Sequence, residues 1–166
     1  MKIRITEPIY LFVLLNMLYA CGFQLAGSGN FSSSLDKSSV QSAASSQDLA
    51  RLVEKNLKTN QIDIVAVEQA TALINILHEK TEKVVLTLDS DGKALEYELI
   101  LQVSFDVKNP DNSYLLREQS ISLNRDFLFD KRDLLGSNEE AQRLFDEMRS
   151  DVAKLIVYRL QTITDR

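Results

Sequence analysis

Between residues 95 and 107 every odd position is apolar: Leu95, Tyr97, Leu99, Leu101, Val103, Phe105 and Val107. The even positions, Ile100 apart, are polar: Glu96, Glu98, Gln102, Ser104 and Asp106. A period of two predicts a long strand with one face buried and the other wet. Asp91-Gly92, just before it, is a hairpin signal of the kind in which both turn residues take positive φ. Such a turn pairs Ser90 with Lys93 and sets Leu88, Leu86 and Val84 opposite Leu95, Tyr97 and Leu99, so the apolar faces agree. The same register loses its apolar face between His78 and Glu82, which predicts a bulge there or a strand that overhangs the core.

After Val107, Asn109-Pro110-Asp111-Asn112 suits a three-residue hairpin loop, with Pro110 second in a type I turn and Asn112 in the left-handed position. Counting from it places Leu115 opposite Val107, Ile121 opposite Leu101, Leu123 opposite Leu99 and Phe127 opposite Leu95. The same count brings Arg125 opposite Tyr97 and Arg117 opposite Phe105, on an otherwise apolar face.

Two stretches switch to helical spacing. Ser45 or Ser46 suits an N-cap, Asp48 falls in the first turn, and Leu49, Leu52, Val53 and Leu57 form one stripe that Asn60 ends. Residues 62–67 read as a short strand or a connection. At the C-terminal end, Ser137 and Glu140 have capping-box spacing. Ala141, Leu144, Phe145, Met148, Val152, Leu155, Ile156, Leu160 and Ile163 then hold one face for about seven turns. The elements together predict an α+β fold: an antiparallel sheet of about four strands with two helices packed on one face.

The first 46 residues carry another pattern. Lys2 and Arg4 precede an apolar run over residues 9–18, ending at Leu18-Tyr19-Ala20-Cys21. A basic start, a short apolar middle and a small residue before a cut are the parts of a secretory signal. Ten residues rise only ~15 Å as a helix, about half a bilayer's hydrocarbon core. The four residues resemble the lipobox of bacterial lipoproteins, in which the cysteine thiol is acylated, palmitate included, and becomes the N-terminus. The plain alternative is an ordinary signal peptide ending near a cysteine. In the resembled class Asp after the cysteine retains a protein at the inner membrane; Gly22 here implies the outer one. The organisation expected is a signal over residues 1–20, a lipidated N-terminus with a Ser-rich tether or weak strand (near residues 37–44) over 21–46, and a sandwich domain over 47–166.

Charge and chemistry narrow the function. Removing residues 1–20 leaves 146 of the 166, and takes away Lys2, Arg4 and Glu7, so 17 basic and 23 acidic residues remain, net −6. Nucleic-acid binders concentrate positive charge, so that partner is not expected. Cys21 is the sole cysteine, so no intramolecular disulfide is possible. His78 is the sole histidine; any Ser-His-Asp or Cys-His arrangement must use it, and it sits in a strand with no serine elbow nearby. His78-Glu79-Lys80-Thr81-Glu82 lacks the second histidine of a zinc helix. Without a Gly-rich phosphate loop either, the chain is expected to be no enzyme and to need no cofactor or metal. Arg117 and Arg125 stand out: a cation on an apolar face needs a partner, which an acidic ligand can supply, unless it snorkels to the edge or pairs with an acid of the covering helices.

Cys21-Gly22-Phe23-Gln24-Leu25 resembles the start of the LPS-assembly lipoprotein family, LptE. Residues 94–107, with Glu96-Tyr97, resemble that family's central strand. Arg125-Asp126-Phe127, followed by a polar loop and a Glu139-led helix containing Glu147-Met148, resembles its C-terminal half. The resemblance implies an outer-membrane lipoprotein, anchored by its lipid on the periplasmic side, that plugs a large β-barrel partner, LptD, helps it assemble and binds lipopolysaccharide. Candidate ligand contacts are Lys93, Lys131 and Arg132, near sheet ends, with Arg117 and Arg125. The rival reading is a generic periplasm-facing lipoprotein, a binding or scaffold module without a barrel.

Overall fold

A computed structural model describes residues 31–130 and 133–164. Cys21, the signal segment, Lys131 and Arg132 lie outside the described residues. In chain order the elements are β1 (Lys37–Ser42), α1 (Gln47–Thr59), β2 (Asp63–Ile64), β3 (Ala72–Leu88), β4 (Ala94–Lys108), β5 (Tyr114–Leu128) and α2 (Leu134–Leu160). The architecture is α+β, as predicted, but the sheet has five strands in the order β2-β1-β3-β4-β5 and is mixed. β1 runs parallel to both β2 and β3, while β3, β4 and β5 form an antiparallel meander.

β1 resolves the choice between tether and strand. Its Lys-Ser-Ser-Val-Gln-Ser sequence has almost no apolar alternation, yet Ser38 and Ser39 are buried between two neighbouring strands. A buried hydroxyl must find a partner, and Ser38 Oγ donates to Leu35 O at 2.8 Å. The folded unit therefore starts well before residue 47.

α1 follows its predicted stripe: Leu49, Val53 and Leu57 are fully buried and Asn60 closes the last turn. Both helices cover the side of the sheet that carries the odd residues of β4. Leu99, Leu101, Phe105 and Val107 from β4 meet Leu35 and Ile74, and above them Met148, Val152, Ile156 and Leu160 of α2. α2 starts one turn earlier than the Ser137 capping box implies. Asp133 is the cap, its side chain accepting from Gly136 N–H at 2.9 Å, and Ser137 is buried inside the first turns.

The strand registers differ from those counted off the turns. Only Gly92 takes positive φ in the first hairpin (+74°); Asp91 does not. Asp89 Oδ1 accepts from both Asp91 N–H and Lys93 N–H, and Asp89 N–H donates to Lys93 O. That carboxylate builds a longer loop, so Lys83 and Val85, not Val84 and Leu86, oppose Leu99 and Tyr97. The bulge foreseen between His78 and Glu82 falls just before it, between Ile76 and His78, with further irregularities near Thr87. In the second hairpin the loop is as predicted, with Asn112 at φ +69° and Asn109 N–H bonded to Ser113 O. Two bulges then shift β5 by two residues, placing Ile121 opposite Val103, Leu123 opposite Leu101, Arg125 opposite Leu99 and Phe127 opposite Tyr97. A shift of two keeps each side chain on its face, which is why the predicted burial survives the wrong pairing.

Candidate interaction surface at the distal end of the sheet

β3, with 17 residues, is about 56 Å long. Its first half lies in the core; its second half, with the first half of β4 and the last of β5, continues past the apolar packing. The bulge at Leu77 decides what this distal half presents. It turns Glu79, Thr81 and Lys83 to the helix side in line with Val103, Leu101 and Leu99.

On the helix side of β3 and β5 charge takes over there, while Leu99 and Leu101 of β4 between them stay fully buried. Arg149 of α2 donates from Nε to Glu79 Oε1 at 2.7 Å, where the Glu79 side chain is 5% exposed and Arg149 18%. Arg149 Nη1 also donates to Asp146 at 2.6 Å. Burial pulls the Arg149 pKa down, but the hydrogen bond and charge of Glu79, with Asp146 behind, outweigh it and hold the guanidinium above its ordinary value. Glu79 Oε2 is buried without a hydrogen-bond partner. One strand pair away, Arg125 donates to Glu147 and Asp151, each at 2.7 Å. Further out, Lys83 Nζ sits 4.2 Å from the Tyr97 ring centre, 4.9 Å from Phe129 and 5.3 Å from Phe127. Such cation–π contacts hold a lysine against rings that would otherwise face water.

The end of the sheet is apolar and open. Leu88 is 60% and Leu128 67% exposed, and Val84, Val85, Leu86, Leu95, Leu134 and Leu135 are exposed beside them. Lys93 stands in the loop that caps this end. Exposed apolar groups of this number mark a surface that something covers. With Lys83 and Lys93 beside them, they match an anionic amphiphile in kind. The sheet side away from the helices is polar by contrast, with His78, Lys80, Gln102, Ser120 and Ser122 lining a shallow groove of about 410 Å³.

The candidate residues do not gather in one place. Lys93 belongs to the distal end, in the loop between β3 and β4. Arg117 lies toward the opposite end, exposed, its guanidinium 5.7 Å from the Tyr114 ring centre. Arg125 is engaged by Glu147 and Asp151 of α2, so that of the alternatives raised by the sequence its partner is an acid of a covering helix. His78 is exposed and pairs across the sheet with Ser104, whose hydroxyl is buried and without a partner. Among the described residues no three or more His, Cys, Asp or Glu side chains gather as a metal would require, and no helix is long and apolar enough to cross a membrane. Glu79 and Lys83 escaped the sequence reading because their facing depends on the bulge, and Arg149 escaped with its partner Glu79. The failure of the apolar register after Leu77 was the one signal available.

The chain matches the model of the family described as "LptE: Lipopolysaccharide-assembly" over residues 35–160. It is 30% identical over 145 residues to the LPS-assembly lipoprotein LptE of Photorhabdus laumondii, covering 86% of this chain and 78% of that protein. Among solved structures, the rare lipoprotein B of Shewanella oneidensis superimposes with a TM-score of 0.66 at 30% identity, over 75% of this chain and 92% of that one. A lipoprotein B of Nitrosomonas europaea gives 0.62 at 26% identity, over 86% and 90%. Two pieces of the motif that carried the resemblance meet in space: Arg125 is bonded to Glu147, and Met148 beside it is fully buried.

Proposed function

The chain belongs to the LptE lipopolysaccharide-assembly family, and from that premise we propose that it is the lipoprotein partner of an outer-membrane β-barrel, LptD, in the lipopolysaccharide translocon. It is held to the outer membrane by acyl chains on Cys21, on the periplasmic side, plugs the barrel lumen, helps the barrel assemble and binds lipopolysaccharide. Its role is structural and recognitional; no chemical step is assigned to it.

The observation that carries this reading is the distal end of the sheet. Lipopolysaccharide joins anionic headgroup phosphates to acyl chains, and the exposed Leu86, Leu88, Leu95 and Leu128 beside Lys83 and Lys93 offer both kinds of contact. Lys131 and Arg132 remain candidates from the sequence and lie outside the described residues. The polar side of the sheet suits the water-filled interior of a large barrel.

The test uses the full-length tagged protein in its own membranes. A barrel protein co-purifies with it, acylated Cys21 is found by mass spectrometry, and depletion leaves the barrel misassembled and lipopolysaccharide absent from the surface. Lys93→Glu, at an exposed loop position, lowers lipopolysaccharide retention several-fold without changing the thermal midpoint. Depletion that leaves surface lipopolysaccharide and the barrel intact overturns the translocon reading in favour of a scaffold module without a barrel.

A further inference from the structure

The outer edge of β5 is fastened at both ends and open between them. Phe129 N–H donates to Leu95 O at 2.9 Å, so odd residues along this stretch turn their N–H and C=O toward β4 and even residues turn theirs away from the sheet. Two of the even positions are taken by α2. Arg159 Nη1 donates to Ser120 O at 2.9 Å. Ser137 Oγ accepts from Asp130 N–H at 3.0 Å and donates to Asp130 O at 3.1 Å. The helix from Ser137 to Arg159 and the strand from Ser120 to Asp130 each span about 33 Å, so α2 runs the length of the edge. Toward Tyr114 a bulge between Phe105 and Val107 interrupts the pairing further.

Between these fastenings Ser122, Asn124, Asp126 and Leu128 are exposed. No hydrogen bond reaches their outward backbone groups among the described residues. Such a row is a template for another strand, and the side chains beside it select the occupant. On the open side the edge carries Asp126, with Glu98 and Glu96 on the next strand. On the helix side it carries Leu123 and Phe127, with Arg125 already neutralised by two carboxylates. A second copy of this chain would bring the same acids together across the pair, which like charges oppose. Lipid has no row of donors and acceptors to match.

We infer that residues 122–128 of β5 receive an extended segment of a protein partner as a sixth strand, with lysine or arginine on the side facing Asp126 and apolar residues on the side facing Phe127. The inference rests on the barrel reading only for the partner's identity: the segment belongs to the barrel protein.

Amide hydrogen exchange of the full-length protein, free and in complex with the co-purified barrel, tests it. The amides of Ser122, Asn124, Asp126 and Leu128 slow at least tenfold in the complex, while those of Leu123 and Arg125, already bonded to β4, change little. Asn124→Pro removes an outward donor without breaking a ladder bond, so the thermal midpoint stays within a few degrees and barrel retention falls about tenfold. Asp126→Lys weakens retention in the same direction. A barrel retained with the four amides unprotected, or retained in full by Asn124→Pro, overturns this inference alone. Protection of the same amides in the free protein with a doubling of its mass assigns the edge to a second copy and also overturns it. A wild-type protein that retains no barrel overturns the barrel reading and this with it.

Discussion

The two halves of one sheet are attached to the same helix by different forces. In the proximal half, Ile74, Phe105 and Val107 lie fully buried in one cluster with Val152, Ile156 and Leu160. Each such side chain contributes about 1.5–3 kcal/mol by leaving water. In the distal half, Glu79, Arg125 and Lys83 occupy the equivalent helix-side positions and meet Arg149, Glu147, Asp151 and three aromatic rings. Ion pairs as exposed as that of Arg125 are worth at most about 1 kcal/mol after screening. The lesson is that the fold is anchored at one end and only tethered at the other, and regions that engage partners are drawn from the less stable part of a protein. Substitutions placed in each half can break or sharpen that contrast.

The largest effect belongs to the proximal half. Phe105→Ala removes a fully buried ring from the middle of the core and costs about 3–5 kcal/mol. Chemical denaturation of the purified domain reads it as a loss of most of its stability. Leu88→Ala, at the exposed distal end, changes stability by under about 0.5 kcal/mol. A comparable loss for both substitutions would mean that the two halves are equally packed and that the contrast is wrong.

Next comes the most enclosed distal ion pair among the described residues, Glu79–Arg149. Arg149→Met leaves Glu79 charged, nearly enclosed and without its donor, and costs roughly 2–3 kcal/mol, below the usual figure for a fully buried pair because Arg149 keeps some exposure. Adding Glu79→Leu removes the stranded charge and recovers most of the loss. A double variant as unstable as the single one would show that the pair contributes more than mutual neutralisation. The double-mutant cycle measures that coupling directly.

The same contrast explains what the sequence made legible. β4 and α1 were readable because burial imposes a period, and Leu99–Val107 and the Leu49, Val53, Leu57 stripe carry it without interruption. Two residues of the family resemblance, Arg125 and Glu147, lie far apart in the chain and meet in one contact. β1 was ambiguous because small serines fill a narrow interior position that hydrophobicity does not mark. The registers were missed because side chains decided them: Asp89 accepts two backbone N–H groups and lengthens the first loop, and Gln119 Nε2 donates to Arg117 O and Glu118 O at the β5 bulge. The Glu79–Arg149 pair was hidden behind the bulge that sets its facing. Period is visible in a sequence; a one-residue slip within it is not.

The smallest effect is also the most discriminating. The two hairpin loops share a design: a tight turn closed by one residue in the left-handed region, Gly92 at the distal end and Asn112 at the proximal end. An added Cβ at Gly92 meets nothing within 4 Å, so Gly92→Ala carries only the backbone cost, about 1 kcal/mol. If the distal half opens by itself, that cost falls on its own local equilibrium. Amide exchange at Gly92 and along the adjoining strand ends then speeds about fivefold, while the thermal midpoint of the whole domain stays nearly fixed. If the two halves unfold as one unit, the midpoint drops by about 4 °C instead. Asn112→Gly, which relaxes the matching position at the anchored end, shifts the midpoint by a fraction of that amount in the stabilising direction and leaves distal exchange untouched. A midpoint that responds to Gly92→Ala in full would join the two halves into a single cooperative unit and remove the basis for a loosely held docking end.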